Sequence, residues 1–254
     1  MYLWRRRASQ RWWSNNKRRF RAAAGSQLAI IEEAGRKQLQ LEVTSASRMK
    51  LQRLGNQFGG RVLQLPHDWL KRFSRQQKTK PIEIRNQKLV IPAGAAFGTG
   101  EHATTALLLR MLEKLSRKWK PGWSIIDLGT GSGILALAAK CFGATRVIGI
   151  DNDPLAIATA RENTRLNKIG DVEFWVGDVR RCKFPRKIDI VTANLFSELL
   201  IKILPKLKAA RWIILSGVLR NQERDVTRAL RRHKIDIVQV RRCGNWVAIL
   251  AAVR

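Results

Sequence analysis

The chain is poor in acid. Its 254 residues hold 19 Asp and Glu against 49 Lys and Arg, a formal net charge of +30. The first 31 residues contain no acid at all. Cysteine is scarce too. Cys141, Cys182 and Cys243 are too few and too far apart for a disulfide framework or a zinc site, so no metal is expected and a reducing compartment fits. Cys141 falls on an apolar helix pattern, where a small buried thiol is the common case. Long hydrophobic runs are missing: none reaches the roughly 18 residues a membrane helix needs, so no membrane span is expected. The opening segment lacks the apolar core of a secretory signal.

What is present is a hydrophobic content of 45%, enough for one full α/β domain and a smaller one. The positive charge is spread through the chain. Residues 1–90 carry 21 Lys and Arg against 5 acids, and residues 91–254 carry 28 against 14. A field of this sign attracts RNA, DNA or anionic membrane without sequence preference. It is equally what arginine-rich solvated faces would give, because charge alone shows attraction and not a site.

The first third reads as a small α+β module. Residues 12–34 carry a helical pattern with a weak point at Gly25. KQLQLEV, residues 37–43, alternates like a strand. A short helix spans 47–57, begun by Ser45 or Ser47 and stopped by Gly59-Gly60, and a second strand spans 61–65. Residues 66–80 read as helical around Trp69, Leu70 and Phe73. They lead to a hairpin-like pair, IEI and KLVIP. The boundaries that follow are a basic N-terminal recognition module over 1–65, a linker over 66–90 and a larger domain over 91–254.

From Ser124 onward strand and helix alternate, which predicts a parallel sheet with right-handed crossovers. The strands are 124–128, 146–150, 172–176, 188–193, 212–216, 235–241 and 246–253, with helices between the first six. Only 242–245 separates the last two, so they form an antiparallel hairpin.

The decisive motifs sit at the start of that sheet. SIIDLGTGSGIL, residues 124–135, is a buried strand opening into a glycine turn and a helix start. Gly129, Gly131 and Gly133 alternate, so the backbone can crowd a ligand that side chains would exclude. Asp151 ends the next apolar strand, 22 residues after Gly129, where an acid can accept hydrogen bonds from ribose hydroxyls. The dinucleotide fingerprint G-x-G-x-x-G would need a glycine at Ile134, and there is none. The pattern G-x-G-x-G resembles instead the first motif of seven-strand S-adenosylmethionine (SAM) methyltransferases.

The stretch FGTGEHATT, residues 97–105, sharpens this. Together with DLGTGSGILALAA, GIDNDPLAIATARENTRLN and DIVTANL, it resembles the ribosomal protein L11 methyltransferases of the PrmA type. The resemblance runs from about Ile91 to Arg254. A fainter echo of that family's interdomain linker precedes it, in Asp68-Trp69, Lys80-Pro81-Ile82 and Leu89-Val90-Ile91. It implies a class I, Rossmann-like α/β methyltransferase sheet behind a small α+β module. It also implies SAM contacts on Thr105, Gly129, Asp151 and Asn194.

Chemistry extends the set. Gly131 and Gly133 should join Gly129 in cradling the methionine portion. Asp127 can order the loop or meet the methionine ammonium, and Asp178 can meet the adenine amine. Each of these acids can equally be a turn or cap residue. Asn194 is the expected catalytic residue, its amide oxygen accepting from the incoming amine. Phe97 can close over the sulfonium or serve as a core anchor. His102 suggests a general base, although structural hydrogen bonding is the commoner role.

The function expected is methyl transfer from SAM to lysine or N-terminal amines of ribosomal protein L11 or a similar protein. The enzyme is expected to be monomeric and cytoplasmic. The opening segment could pass for a mitochondrial presequence, but a basic N-terminal helix is the reading the bacterial family favours. The cations of residues 1–24, beside Trp4, Trp12 and Trp13, suggest docking on RNA, with the rings stacking on unpaired bases. Rivals are an RNA or DNA methyltransferase, or a nucleic-acid-binding relative that has lost catalysis. Against the first, ANLF lacks the Asn/Asp-Pro-Pro-aromatic loop of base-amine enzymes. A departure from the family pattern, the missing proline after Asn194, bears on substrate recognition.

Overall fold

A computed structural model describes residues 1–24, 28–32, 38–45, 47–66, 81–85, 87–92, 96–98, 100, 102–185 and 187–253. The chain divides into two units, Met1–Arg75 and Gln76–Arg254. The helix expected over 66–80 lies almost wholly outside the described residues.

The first unit runs β1 (Tyr2–Ser9), α1 (Gln10–Ala24), β2 (Leu28–Glu32), β3 (Gln38–Ser45), α2 (Arg48–Phe58) and β4 (Arg61–Gln64). Its sheet order is β2-β3-β1-β4, with every described pairing antiparallel. This is the split βαβ arrangement of ferredoxin-like domains.

Two expectations are corrected here. The opening residues are not helical: β1 is a central strand. Its alternation puts Trp4 and Ala8 in the core and leaves Arg5 and Arg7 exposed. Nor does the helix continue to residue 34. It stops at Ala24, and the apolar, β-branched run LAII pairs with β3 instead. Ser9 begins α1, its hydroxyl accepting from the Trp12 N–H at 3.1 Å.

The tryptophans are packing residues. Trp4 is fully buried, and its indole N–H donates to the Gly59 carbonyl at 2.9 Å. Trp12 and Trp13 pack edge-on against the buried Phe20, with ring centroids 6.1 Å away in each case. Trp12 and Trp13 are half-buried. Gly60 has a φ of 101°, and a Cβ there would meet the Trp4 ring at 2.8 Å, so only glycine lets α2 turn back over this ring.

The second unit opens with a hairpin, β5 (Ile82–Ile84) and β6 (Gln87–Leu89), followed by α3 (Ala103–Ser116). Then come β7 (Trp123–Leu128), α4 (Ile134–Cys141), β8 (Ala144–Asp151), α5 (Pro154–Leu166) and β9 (Val172–Val176). The chain continues with β10 (Ile188–Asn194), α6 (Ser197–Leu207), β11 (Ala210–Leu219), α7 (Glu223–Arg232), β12 (Ile235–Cys243) and β13 (Trp246–Val253). The seven-strand order is β12-β13-β11-β10-β7-β8-β9, with β13 reversed against both neighbours. This is the class I methyltransferase sheet.

Period-two alternation divides its side chains between two cores. Ile125, Val147, Ile190 and Ile214 meet α3, α4 and α5 on one face. Ile126, Ile148, Val191 and Ile213 meet α6 and α7 on the other.

One connection departs from expectation. Between β9 and β10 the described residues form no helix. The Asp178 carbonyl takes the N–H groups of Arg181 and Cys182 at 2.8 and 2.9 Å, closing a tight turn. This segment is short, and Pro185 near its end would interrupt a helix, so Val179, Cys182 and Phe184 pack on the core from a turn instead. The strand order reverses between β7 and β10. At such a switch point the crevice at the carboxyl ends is where α/β sheets bind ligands.

Candidate cofactor and active site

The loop leaving β7 turns on three glycines with positive φ, Gly129 at 71°, Gly131 at 54° and Gly133 at 82°. Its path is set by the next strand. Gly129 and Thr130 donate their N–H groups to the Ile150 carbonyl, at 2.8 and 3.0 Å, and Gly131 donates to the Asp151 carboxylate at 2.9 Å. The crowding that requires glycine comes from the chain itself. A Cβ on Gly131 would lie 2.4 Å from the Phe97 carbonyl, and one on Gly133 would lie 2.9 Å from Ala160 of α5. Phe97 accepts the Ser132 N–H at 2.9 Å, so the 97–98 segment is strapped over the loop. Its ring is 59% exposed, which removes the core-anchor reading.

Asp127 is buried, and each of its oxygens takes a threonine hydroxyl, Thr130 and Thr192, both at 2.7 Å. Burial pushes its pKa up to about 6, while these two hydrogen bonds pull the other way and the Asp151 charge adds to the rise. Asp127 is thus a brace that ties β7, the loop and β10 together. Thr192 had not been singled out from the sequence. Its partnership arises because β7 and β10 pair with Thr192 opposite Asp127.

Asp151 is half-buried at its strand end. One oxygen takes the Gly131 N–H and the other the Asp153 N–H at 3.0 Å. A carboxylate has about four lone-pair sites, so acceptor capacity remains for a diol. Burial raises its pKa, and the backbone donors oppose that rise. A further pair of hydroxyl donors would stabilise the charged form, so the residue fits a ribose. Asp178 differs. Its carboxylate is held by the Arg180 guanidinium at 2.6 Å, which pulls its pKa down to about 2. An adenine amine would have to share that acid or use the backbone.

Asn194 ends β10, and its amide N–H₂ donates to the hydroxyls of Thr104 at 3.0 Å and Thr105 at 3.5 Å. Both threonines are buried in the first turn of α3. The Thr104 hydroxyl also meets His102 Nδ1 at 2.8 Å, and that same nitrogen accepts the Thr104 N–H to cap α3. Because Nδ1 accepts, the Thr104 hydroxyl donates to it and must accept from Asn194. That directs the amide nitrogen of Asn194 at the threonines and leaves its oxygen without a donor among the described residues. His102 is therefore a cap and a brace, its ring set edge-on between Phe97 and Trp246 at 5.3 and 5.2 Å. Thr104 is the residue the sequence reading passed over. Its only signal was its place in the TT pair.

The set named from sequence thus gathers at one sheet edge in two connected groups, Gly131 with Asp151 and Thr105 with Asn194. Asp127 lies beneath them and Asp178 is engaged with Arg180.

The family model described as ribosomal protein L11 methyltransferase (PrmA) matches residues 70–254. The chain belongs to the PrmA family. A ribosomal protein L11 methyltransferase of Caldicellulosiruptor saccharolyticus is 34% identical over 204 residues, 72% of this chain and 65% of the relative. One from Symbiobacterium thermophilum is 39% identical over 201 residues, 76% of this chain and 60% of the relative. The crystal structure of a ribosomal protein L11 methylase from Lactobacillus delbrueckii subsp. bulgaricus has a TM-score of 0.60 at 26% identity, covering 68% of this chain and 98% of that one. The chain spans somewhat less than two thirds of the length of the Caldicellulosiruptor and Symbiobacterium relatives. Among the described residues no helix is long and apolar enough to cross a membrane.

Proposed function

We propose that this chain is a SAM-dependent N-methyltransferase acting on lysine or N-terminal amines of ribosomal protein L11 or a similar protein in the cytoplasm. One observation carries the reading. Asn194 offers an undonated amide oxygen at the carboxyl end of β10, its other end tied to Thr104 and Thr105. The names of the PrmA relatives supply the substrate. The first unit is assigned the recognition of that substrate, and the basic surface an association with RNA.

Thr105, Asp127, Gly129, Gly131, Gly133, Asp151, Asp178 and Asn194 would hold SAM, whose contribution when bound is an electrophilic methyl group on a sulfonium. Asp151 would take the ribose hydroxyls, and Asp127 keeps the glycine loop in shape for the methionine portion. The chain's own task is to prepare the amine. An ammonium has no lone pair, so the amine must enter neutral, and loss of bulk water lowers its pKa. Asn194 Oδ1 then accepts one N–H, fixing the direction of the lone pair. Proton loss is completed by solvent before transfer, so the site needs orientation more than a strong base.

The test is transfer of labelled methyl to purified L11 and to a cell extract treated with nuclease or protease. Label that survives protease and disappears with nuclease would refute the protein substrate. In parallel, Asn194→Ala should cut kcat by at least tenfold with a smaller loss of SAM affinity, as expected for an interaction made mainly in the transition state. Unchanged turnover would make Asn194 a structural turn residue.

A further inference from the structure

The ferredoxin-like unit has two unlike surfaces. Among its described side chains the acid is Glu42 on β3, held by Arg5 at 2.7 Å on the open face of the sheet. The helical layer holds no acid at all. Helix α1 exposes Arg11, Lys17, Arg18, Arg19 and Arg21, while Phe20 and Ala24 are buried and Trp12 is half-buried. Helix α2 exposes Arg48, Lys50 and Arg53 over buried Leu51, Leu54 and Phe58. None of these eight cations makes an ion pair among the described residues.

The second unit is arranged differently. Some of its surface arginines are matched with acids, as in Arg117 with Glu113, Arg180 with Asp178, Arg228 with Asp225 and Arg242 with Glu223, although others such as Arg146, Arg211 and Arg232 are exposed without an ion pair among the described residues. Both units carry excess positive charge, but the helical layer of the first concentrates eight unpaired cations with no acid among them.

We infer that the α1–α2 face of the N-terminal unit is a docking surface for RNA that grips the phosphate backbone and does not read bases. Four features select this partner. First, the charges extend along two helices about 22 and 16 Å long, which matches a polymer of regularly spaced anions better than a single acidic side chain. Second, Ser14, Asn15, Gln52 and Asn56 stand exposed between the cations, and such side chains make the phosphate and sugar contacts of nucleic-acid interfaces. Third, Trp4 is fully buried and Trp12 and Trp13 are half-buried against the core, while Arg6 and Arg21 lie over the rings of Trp12 and Trp13 at 4.1 and 5.8 Å. Stacked guanidinium groups are held with their N–H edges outward, the geometry that suits phosphate. Fourth, a lipid surface would need an apolar face to insert, and the apolar stripe of α1 is buried against the sheet. The choice of RNA over other polyanions rests on the proposed function, whose substrate belongs to an RNA-rich particle.

The experiment uses the full chain and a fluorescein-labelled RNA hairpin, with anisotropy read from 50 to 200 mM KCl. Wild type should lose about 10²-fold in affinity over that range if some four phosphates are neutralised. Arg11→Gln/Lys17→Gln/Arg18→Gln/Arg19→Gln should bind at least 30-fold more weakly at 50 mM, with a shallower salt slope and unchanged circular dichroism. Arg7→Gln/Arg61→Gln, on the open sheet face, should bind within threefold of wild type. Equal losses in the two variants, or no loss in the helical one, would overturn the inference. So would tighter binding to a DNA duplex, to polyglutamate or to phosphatidylglycerol vesicles than to the hairpin. SAM affinity, measured by calorimetry on the same proteins, should be the same in all three. Absence of SAM binding in wild type would count against the proposed function and leave the RNA result standing.

Discussion

Thr104→Val isolates the part of the site that orients the amine. Valine has nearly the shape of threonine, so the buried pocket in α3 stays filled and only the hydroxyl is lost. That hydroxyl accepts from Asn194 at 3.0 Å and meets His102 Nδ1 at 2.8 Å. What remains is poor. Asn194 keeps Thr105 at 3.5 Å, and His102 keeps the Thr104 N–H at 3.4 Å, both at the limit of useful geometry. Leaving buried polar groups without partners costs about 1–3 kcal/mol, so the second unit should melt roughly 2–10 °C lower. Freed from its anchor, the amide can rotate and offer N–H₂ where an acceptor is needed. A misdirected amine should lower kcat by about 10- to 100-fold. SAM affinity should change by less than threefold, because the Asp151 and glycine contacts are intact. Thr104→Ser keeps the hydroxyl and should restore most of the turnover despite its smaller volume. The assay is single-turnover methyl transfer at saturating SAM, with calorimetry for SAM binding. A valine variant as active as the serine variant would refute the orienting role of this network.

Two further outcomes follow from the acids. Asp151→Ala removes the acceptor at the strand end and frees Gly131, so SAM binding should weaken by about 1–3 kcal/mol in calorimetry; unchanged affinity would remove Asp151 from the site. Asp127 binds its proton more tightly folded than unfolded, since burial lifts its pKa from 3.8 to about 6. The stability due to that proton is present at low pH and lost as pH rises between about 4 and 6, up to about 3 kcal/mol. Asp127→Asn cannot ionise, so its denaturation midpoint should improve relative to wild type on going from pH 4.5 to 7, and a pH-independent gap would show that the carboxylate is not the titrating group.

Much of the second unit was legible because its strands are long and apolar and its turns carry glycine. The four-residue break before Trp246 sufficed to read the reversed last strand. The first unit was harder. In β1 the three arginines hide the alternation of buried Trp4 and Ala8, and the buried Leu3 falls out of phase with them. In β2 the apolar run LAII fits helix or strand until β3 is there to pair with it. The β9–β10 connection was assigned a helix from the rhythm of the fold, although it is short and carries Pro185 near its end. In the site, Asp151 and Asn194 could be named because each sits at a strand end, and Thr105 because the family resemblance implied it. Thr104 and Thr192 could not. Their hydroxyls matter through partners 90 and 65 residues away, and nothing local marks a threonine for such a bond.

The placement of β1 has a consequence for synthesis. Among this unit's described strands β1 is the earliest in sequence, yet it occupies the middle of the sheet, flanked by β3 and β4, the latter the last of them. The Trp4 indole waits for a carbonyl 55 residues downstream. No smaller folded piece of this unit can form as the chain emerges, because every early fragment lacks a neighbour for its central strand. The unit must assemble all at once, after residue 64 has appeared. Until then an acid-free stretch of arginine and tryptophan is exposed as nascent chain, and its charge keeps it dispersed while its aromatic rings have nothing to pack against.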